Sequence, residues 1–520
     1  MAPLTVLLKA CESGYDAEVL ALIKKEKKKG RLESFINEKG VDGETPLTAA
    51  LVRGHLKVAE VLVEKGKADP NRTNGESDSP LNISSHFGYQ GMAKLLLANG
   101  AKIDQAGMGD STSLYLSSTN GDQGVVKLLL AGGANVNQAI GDGSTPLMVS
   151  SESGHAEVAS LLLAGGAKVN QARSDGATPL TMNSKSGHEE VVELLLASGA
   201  KVDQAQNGGG TPLIMGSQAG HYEVVKLLLA NGASVNLTWI GNTPLIMSSQ
   251  FGHYEVVKLL LAKGADVNQA NNNGSTPLLL SSHEGHTEVV ELLLAKGANV
   301  NQAGNDGRTP LYLSSQQGHQ VVVKLLLASD ATVDQARDNG NTPLFTSSQN
   351  GHKKVAWLLL ASGAKVDQAN NNGDTPFIVS SVEGHQEVVK LLLANGAKAD
   401  QAEEEEEEDG KDEEEVRKCL ECGKKAAPCT RFCSRECQFR EEAGRAKAEK
   451  AAEVKKEEDE PKKKAARVCE LCGKEADRMK KCSVCKLVRY CSEECQLGDW
   501  KKHKKSCKES AARKGGGKGI

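Results

Sequence analysis

The chain has 520 residues and a net charge of −4, and only 3% of it is aromatic, so a core must be built from Leu, Val, Ala and Ile. No stretch approaches 18 consecutive apolar residues and the opening MAPLTVLLKACESG has no positively charged leader, which argues against a membrane span and a signal peptide. All thirteen cysteines except Cys11 crowd between Cys419 and Cys507, a pattern of metal binding in a reducing compartment and not of a secreted disulfide scaffold.

In chain order, residues 1–40 read as a helix pair without a Thr-Pro start, an N-terminal cap. A phrase then recurs at Thr145-Pro146, Thr178-Pro179, Thr211-Pro212, Thr243-Pro244, Thr276-Pro277, Thr309-Pro310, Thr342-Pro343 and Thr375-Pro376. The step is 33 residues, except for 32 into Thr243. A period of this size means stacked repeats. About eleven units, anchored from Pro46 to Pro376, fill 41–402. One of them reads GSTPLMVSSESGHAEVASLLLAGGAKVNQA over 143–172. Thr145 can cap a helix whose first position Pro146 suits. That short helix ends at Gly154. A second helix follows with Val158, Leu161 and Leu162 at helical spacing, and Gly165-Gly166 stops it. Period and motif together resemble the ankyrin repeat. The resemblance implies a mainly α solenoid of helix pairs joined by hairpin turns, with partner proteins bound on its concave side.

Departures from the frame carry expectations of their own. One unit has Ser79-Pro80 and Gly88-Tyr89, and the next has Thr112-Ser113 and Gly121-Asp122; the stack should be weakest there. Where the family usually has Ala-Ala in the first helix, this chain has Ser pairs such as Ser150-Ser151, Ser248-Ser249, Ser281-Ser282, Ser314-Ser315, Ser347-Ser348 and Ser380-Ser381. Small-residue packing with hydroxyls bonded back into the helix is the expected reason. Nine histidines occupy the Gly-His position of the inter-helix turn: His55, His155, His188, His221, His253, His286, His319, His352 and His385. One per unit is too sparse for two to share an ion, so they read as structural.

The two residues before each Gly-His vary while the frame does not, and they fall where the ankyrin family contacts partners. Gln250, Phe251, His283, Glu284, Gln316 and Gln317 are the candidates; drift on a solvated face is the alternative. The row is polar and nearly uncharged, which disfavours nucleic acid.

Beyond 402 the composition changes. An acidic linker (403–418) precedes a truncated cysteine motif (419–438), a charged helix or linker (439–468), a complete cysteine module (469–507) and a basic tail (508–520) read as disordered. The complete module reads Cys469-x2-Cys472, Cys482-x2-Cys485, Cys491-x3-Cys495, His503-x3-Cys507. Seven thiols and one imidazole make two closed tetrahedral sites with no place for a reactive water, so they are structural zinc sites. With Tyr490 before Cys491 and DWKKHKKSC at the end, the module resembles the MYND zinc finger. That resemblance implies an interleaved pairing. Cys469, Cys472, Cys491 and Cys495 would hold one zinc, and Cys482, Cys485, His503 and Cys507 the other. It also implies a groove for Pro-x-Leu-x-Pro peptides at Gln496 and Trp500. In the truncated echo, Cys419, Cys422, Cys433 and Cys437 could hold a third zinc or form a metal-free copy.

The reading that follows is a non-enzymatic adaptor: the array binds one protein and the finger a proline-containing peptide of another, inside the cell in cytoplasm or nucleus. Every residue belongs to repeat, linker or finger, leaving no room for a catalytic domain. The alternative is a nucleic-acid-associated regulator using the finger's Lys480-Lys481, Lys501-Lys502 and Lys504-Lys505, which lack interleaved aromatics.

Overall fold

The computed structural model describes residues 3–398 and the backbone of 480–481 and 489–490. The chain divides into two units, Met1–Glu403 and Glu404–Ile520. In the first, helices Pro3–Ser13 and Asp16–Lys28 are followed by a short one, Leu32–Ile36. Eleven helix pairs then run without interruption from Pro46–Val52 with Leu56–Glu64 to Pro376–Val382 with Gln386–Ala394. First helices pack against first helices of neighbouring units, and second against second.

Each pair forms for local reasons. In all eleven, the Thr or Ser before the first helix accepts a hydrogen bond from the backbone N–H three residues on, as Thr145 does from Met148 at 3.3 Å and Ser79 from Asn82 at 3.1 Å. Proline sits at the first helical position in ten of these, where no N–H is needed. The two irregular units therefore keep their caps. Gly154 turns at φ +76°, and a Cβ there would meet the His188 ring at 2.6 Å, so it serves both the turn and the fit to the next unit.

The core is one continuous aliphatic column running the length of the array. In the second helix Ala156–Ala164 the buried positions are Ala156, Val158, Ala159 and Leu162. Leu161, grouped with them by helical spacing, is half-buried and packs against the core's flank. Neighbouring units repeat this with Val224, Val225, Leu228 and with Val256, Val257, Leu260. Each such Val or Leu contributes about 1.5–3 kcal/mol on burial. The first helix is buried almost all round, which is why only small residues fit at its Ser pairs.

Those serines divide in two. The first of a pair donates to the carbonyl three residues back: Ser150 to Leu147 (3.1 Å), Ser281 to Leu278 (3.2 Å), Ser347 to Leu344 (3.0 Å). The second bonds at Ser151, which reaches the carbonyl four residues back, Leu147 O, at 2.6 Å, but Ser249, Ser282, Ser315 and Ser348 are fully buried with no partner for Oγ. Back-bonding thus explains one row and not the other.

The structure also assigns the Asn of the Val-Asn-Gln-Ala phrase. Asn137 accepts from Lys168 N (2.7 Å) and donates to Gly166 O (3.2 Å), clamping its unit to the next. Asn170 and Asn301 repeat the clamp.

In the second unit, Lys480–Lys481 and Arg489–Tyr490 pair antiparallel, Lys480 opposite Tyr490 and Lys481 opposite Arg489. Cys419, Cys422, Cys433, Cys437, Cys469, Cys472, Cys482, Cys485, Cys491, Cys495, Gln496, Trp500, His503 and Cys507 lie outside the described residues.

Candidate protein-binding face and zinc module

Each of the nine Gly-His histidines bonds to the unit before it. Nε2 donates to a main-chain carbonyl at the end of the preceding first helix: His188 to Glu152 O (3.1 Å), His286 to Gln250 O (2.9 Å), His319 to His283 O (2.9 Å), His352 to Gln316 O (3.0 Å). The acceptors belong to the variable pairs. Their backbones are held by the frame while their side chains are exposed or half-buried at the surface, so they can vary without disturbing the stack. That is the physical origin of a variable row in a constant frame. Tyr89 makes no such bond, and Asp122 instead caps its own helix by accepting from Val125 N at 3.0 Å. At that second interface Asn120 Nδ2 takes over, reaching His86 O at 2.5 Å.

Among the candidate side chains, Gln250 ends helix Pro244–Gln250 half-buried, and Phe251 follows it, 47% exposed and stacked near His253. One unit on, His283 Nδ1 meets Glu284 Oε1 at 2.9 Å and His283 Nε2 meets Gln317 Nε2 at 3.2 Å, joining three candidates across two units. Gln316 is half-buried and engages the next histidine through its carbonyl alone.

Two grooves lie between this row and the hairpins. The larger, about 570 Å³, is lined among others by Glu152, Met182, Lys185, Met215, Trp239 and Phe251. The other, about 470 Å³, includes Leu279, His283, Asn305 and Arg308. Beside the first, Arg173 pairs with Asp175, and that hydrogen bond holds the Asp175 carboxyl down at about 2. Met182, Met215, Trp239, Arg173 and Asp175 were not singled out from the sequence. The signal that could have found Trp239 was the 32-residue step into Thr243.

Lone Cys11 does not add a reactive site: burial first, then Glu12, pushes its thiol up to about 12. Among the described residues, no cluster of His, Cys, Asp and Glu is placed to hold a metal, and no helix is long and apolar enough to cross a membrane.

Comparison with known proteins agrees with this geometry. Residues 7–107, 114–206, 201–271, 245–337 and 323–403 match the pattern described as ankyrin repeats in three copies. The chain belongs to the ankyrin-repeat family. Residues 469–507 match the MYND finger, and a MYND finger implies zinc. Its donor set of thiols and one imidazole fits that metal. Both kinds of domain are in general protein-interaction modules.

The SET-domain relatives meet this chain over the finger alone. SET domain and MYND-type zinc finger protein 6 of Schizosaccharomyces pombe is 41% identical over 51 residues, 10% of this chain and 11% of its own length. Ubiquitin carboxyl-terminal hydrolase 19 of Arabidopsis thaliana is 58% identical over 41 residues, 8% and 6% respectively. A Zinc finger MYND domain-containing protein 10 homolog of Drosophila melanogaster is 51% identical over 58 residues, 11% and 12%. The chain therefore spans about a tenth of the length of the curated relatives it matches, and the SET proteins' chemistry lies outside the shared part.

Proposed function

We propose that this protein is a non-enzymatic adaptor that joins two proteins. The observation that carries the reading is the variable row: its main chain is pinned by the histidine ladder while its side chains stay accessible, in a chain that also holds a MYND finger. Gln250, Phe251, His283, Glu284, Gln316 and Gln317 contact the first partner. A proline-containing peptide of the Pro-x-Leu-x-Pro type occupies the finger at Gln496 and Trp500.

Two zincs hold the finger: one on Cys469, Cys472, Cys491 and Cys495, the other on Cys482, Cys485, His503 and Cys507. Cys419, Cys422, Cys433 and Cys437 hold a third. The zincs supply structure and not catalysis, because all four positions of each are taken by protein.

Calorimetric titration of the full chain with a Pro-x-Leu-x-Pro peptide, against the same titration with a DNA duplex, tests the finger's role. Peptide binding lost in Trp500→Ala supports it. Tighter binding to the duplex overturns it in favour of a nucleic-acid-associated regulator.

A further inference from the structure

The unit that is one residue short has an unusual hairpin. Trp239 and Asn242 exchange both backbone hydrogen bonds, each 2.9 Å, and between them Ile240 and Gly241 turn at φ +51° and +83°. Two successive positive φ values make a type I′ turn, which favours Asn, Asp or Gly at its first position. Ile240 is β-branched and therefore strained there. Its side chain is 68% exposed, so no burial inside the fold compensates.

The short hairpin also interrupts a regular feature. From residue 142 onward the other hairpins pass main-chain hydrogen bonds to one another, from Ser174 to Asp142 (2.9 Å), Asn207 to Asp175 (2.8 Å) and Asn305 to Asn273 (3.0 Å). Neither neighbour makes that bond to the 239–242 hairpin. Trp239 instead packs on Ile214, Met215 and Met247, and room for it comes from Gly208, where a Cβ would lie 3.3 Å from the indole nitrogen. The result is the larger groove, with a methionine floor at Met182 and Met215 and an aromatic end at Trp239 and Phe251. Methionine adapts its shape to what it meets.

We propose that this groove seats one extended peptide segment of a partner protein. A bulky apolar side chain of that segment enters between Met215, Trp239 and Phe251, flanked by a basic residue against Glu152 and an acidic one against Lys185. The proposal rests on the reading that this face of the array binds protein. Charge sets the polarity. Glu152 and Lys185 hold equivalent places one unit apart, carry opposite signs and form no ion pair, whereas Arg173 and Asp175 neutralise each other. The neutral amides set the backbone form. Among the lining amides, the side chain of Gln218 has no protein partner, and Gln206 reaches only the Met215 sulfur at 3.9 Å. An extended chain brings main-chain N–H and C=O groups that need such partners; a helix satisfies its own.

The test is selection of short blocked peptides from a random displayed library on the full-length chain, followed by titrations read by tryptophan fluorescence. Selected peptides should carry a large apolar residue between a basic and an acidic one, and exchanging the two charges should weaken binding by about ten-fold or more. Phe251→Gln should weaken binding by a similar factor. Ile240→Asn should raise the urea midpoint of the array, because a residue suited to the turn removes the strain. Peptides that bind the Phe251→Gln chain and the native one equally but are lost with Gln317→Ala would overturn the groove assignment and leave the array a protein binder. Failure to select any peptide would sink both. Selected peptides that bind only as helices, or self-association of the chain through Phe251 seen by light scattering, would also overturn the proposal.

Discussion

Replacing Ser249, Ser282, Ser315 and Ser348 by Ala should stabilise the array. Each hydroxyl is fully buried in a first helix and has no hydrogen-bond partner. A buried unsatisfied polar group costs about 1–3 kcal/mol, and Ala exceeds Ser in helix propensity by up to about 0.5 kcal/mol. Oγ contributes only a few van der Waals contacts in return. A gain of about 1 kcal/mol per site follows, or about 4 kcal/mol for the quadruple variant if successive units add. Ser150, Ser248, Ser281, Ser314 and Ser347 are the internal control, because each donates to a carbonyl three residues back. Their replacement loses a bond worth about 0.5–1.5 kcal/mol against the same propensity gain and should be neutral or mildly destabilising. The assay is urea unfolding of the full chain followed by far-UV circular dichroism, with amide hydrogen exchange locating the change. The reasoning fails if the two sets of variants shift the midpoint alike. In that case the second-row hydroxyls reach the carbonyl four residues back, as Ser151 does.

Tyr89→His should supply the missing inter-unit bond to the preceding first helix and raise exchange protection around residues 46–98 by about 1 kcal/mol; unchanged protection would mean the histidine adds nothing the tyrosine lacks. Asp122→His should be close to neutral, because it removes the cap on Val125 N while adding a similar bond. The Asp175 carboxyl, held at about 2 by Arg173, lies below the usual carboxylate value. Its contribution is present above about pH 4 and lost as pH falls through about 2; NMR titration of the side chain checks it, and an ordinary midpoint near 4 would contradict the pair. Chelation of the full chain should release three zincs and leave the array's helical signal intact; release of two would make the truncated motif a metal-free copy, release of one or none would break the finger assignment, and a loss of helix would show that the metal supports the array.

Much of this protein could be read from residues because its frame is local chemistry repeated. Thr145 caps, Pro146 starts and Gly154 turns within one unit, so the same letters recur wherever the same bonds form. The apolar spacing grouped Val158, Leu161 and Leu162 without ranking their burial, since which flank of a short helix faces inward depends on its neighbours. Phe251 was legible only as one of the variable residues before a Gly-His. Trp239, which completes its groove, was not legible, because its partners Ile214, Met215, Gly208 and Met247 are brought to it by two adjoining units.

The 33-residue period and the eight metal-binding side chains of 469–507 were enough, as sequence, to name an ankyrin array followed by a MYND finger. A repeat is a pattern of identical local solutions, and a ligand set is a pattern of donor types, and neither needs long-range geometry to be recognised. Tertiary structure decided what the sequence left open: that each histidine pins the carbonyl of a variable residue one unit back, that one row of serines bonds and the other does not, and that a single missing residue puts Trp239 over a methionine groove. Those outcomes depend on distances between residues about one unit apart in the chain, which stacking sets and spacing along a single unit does not.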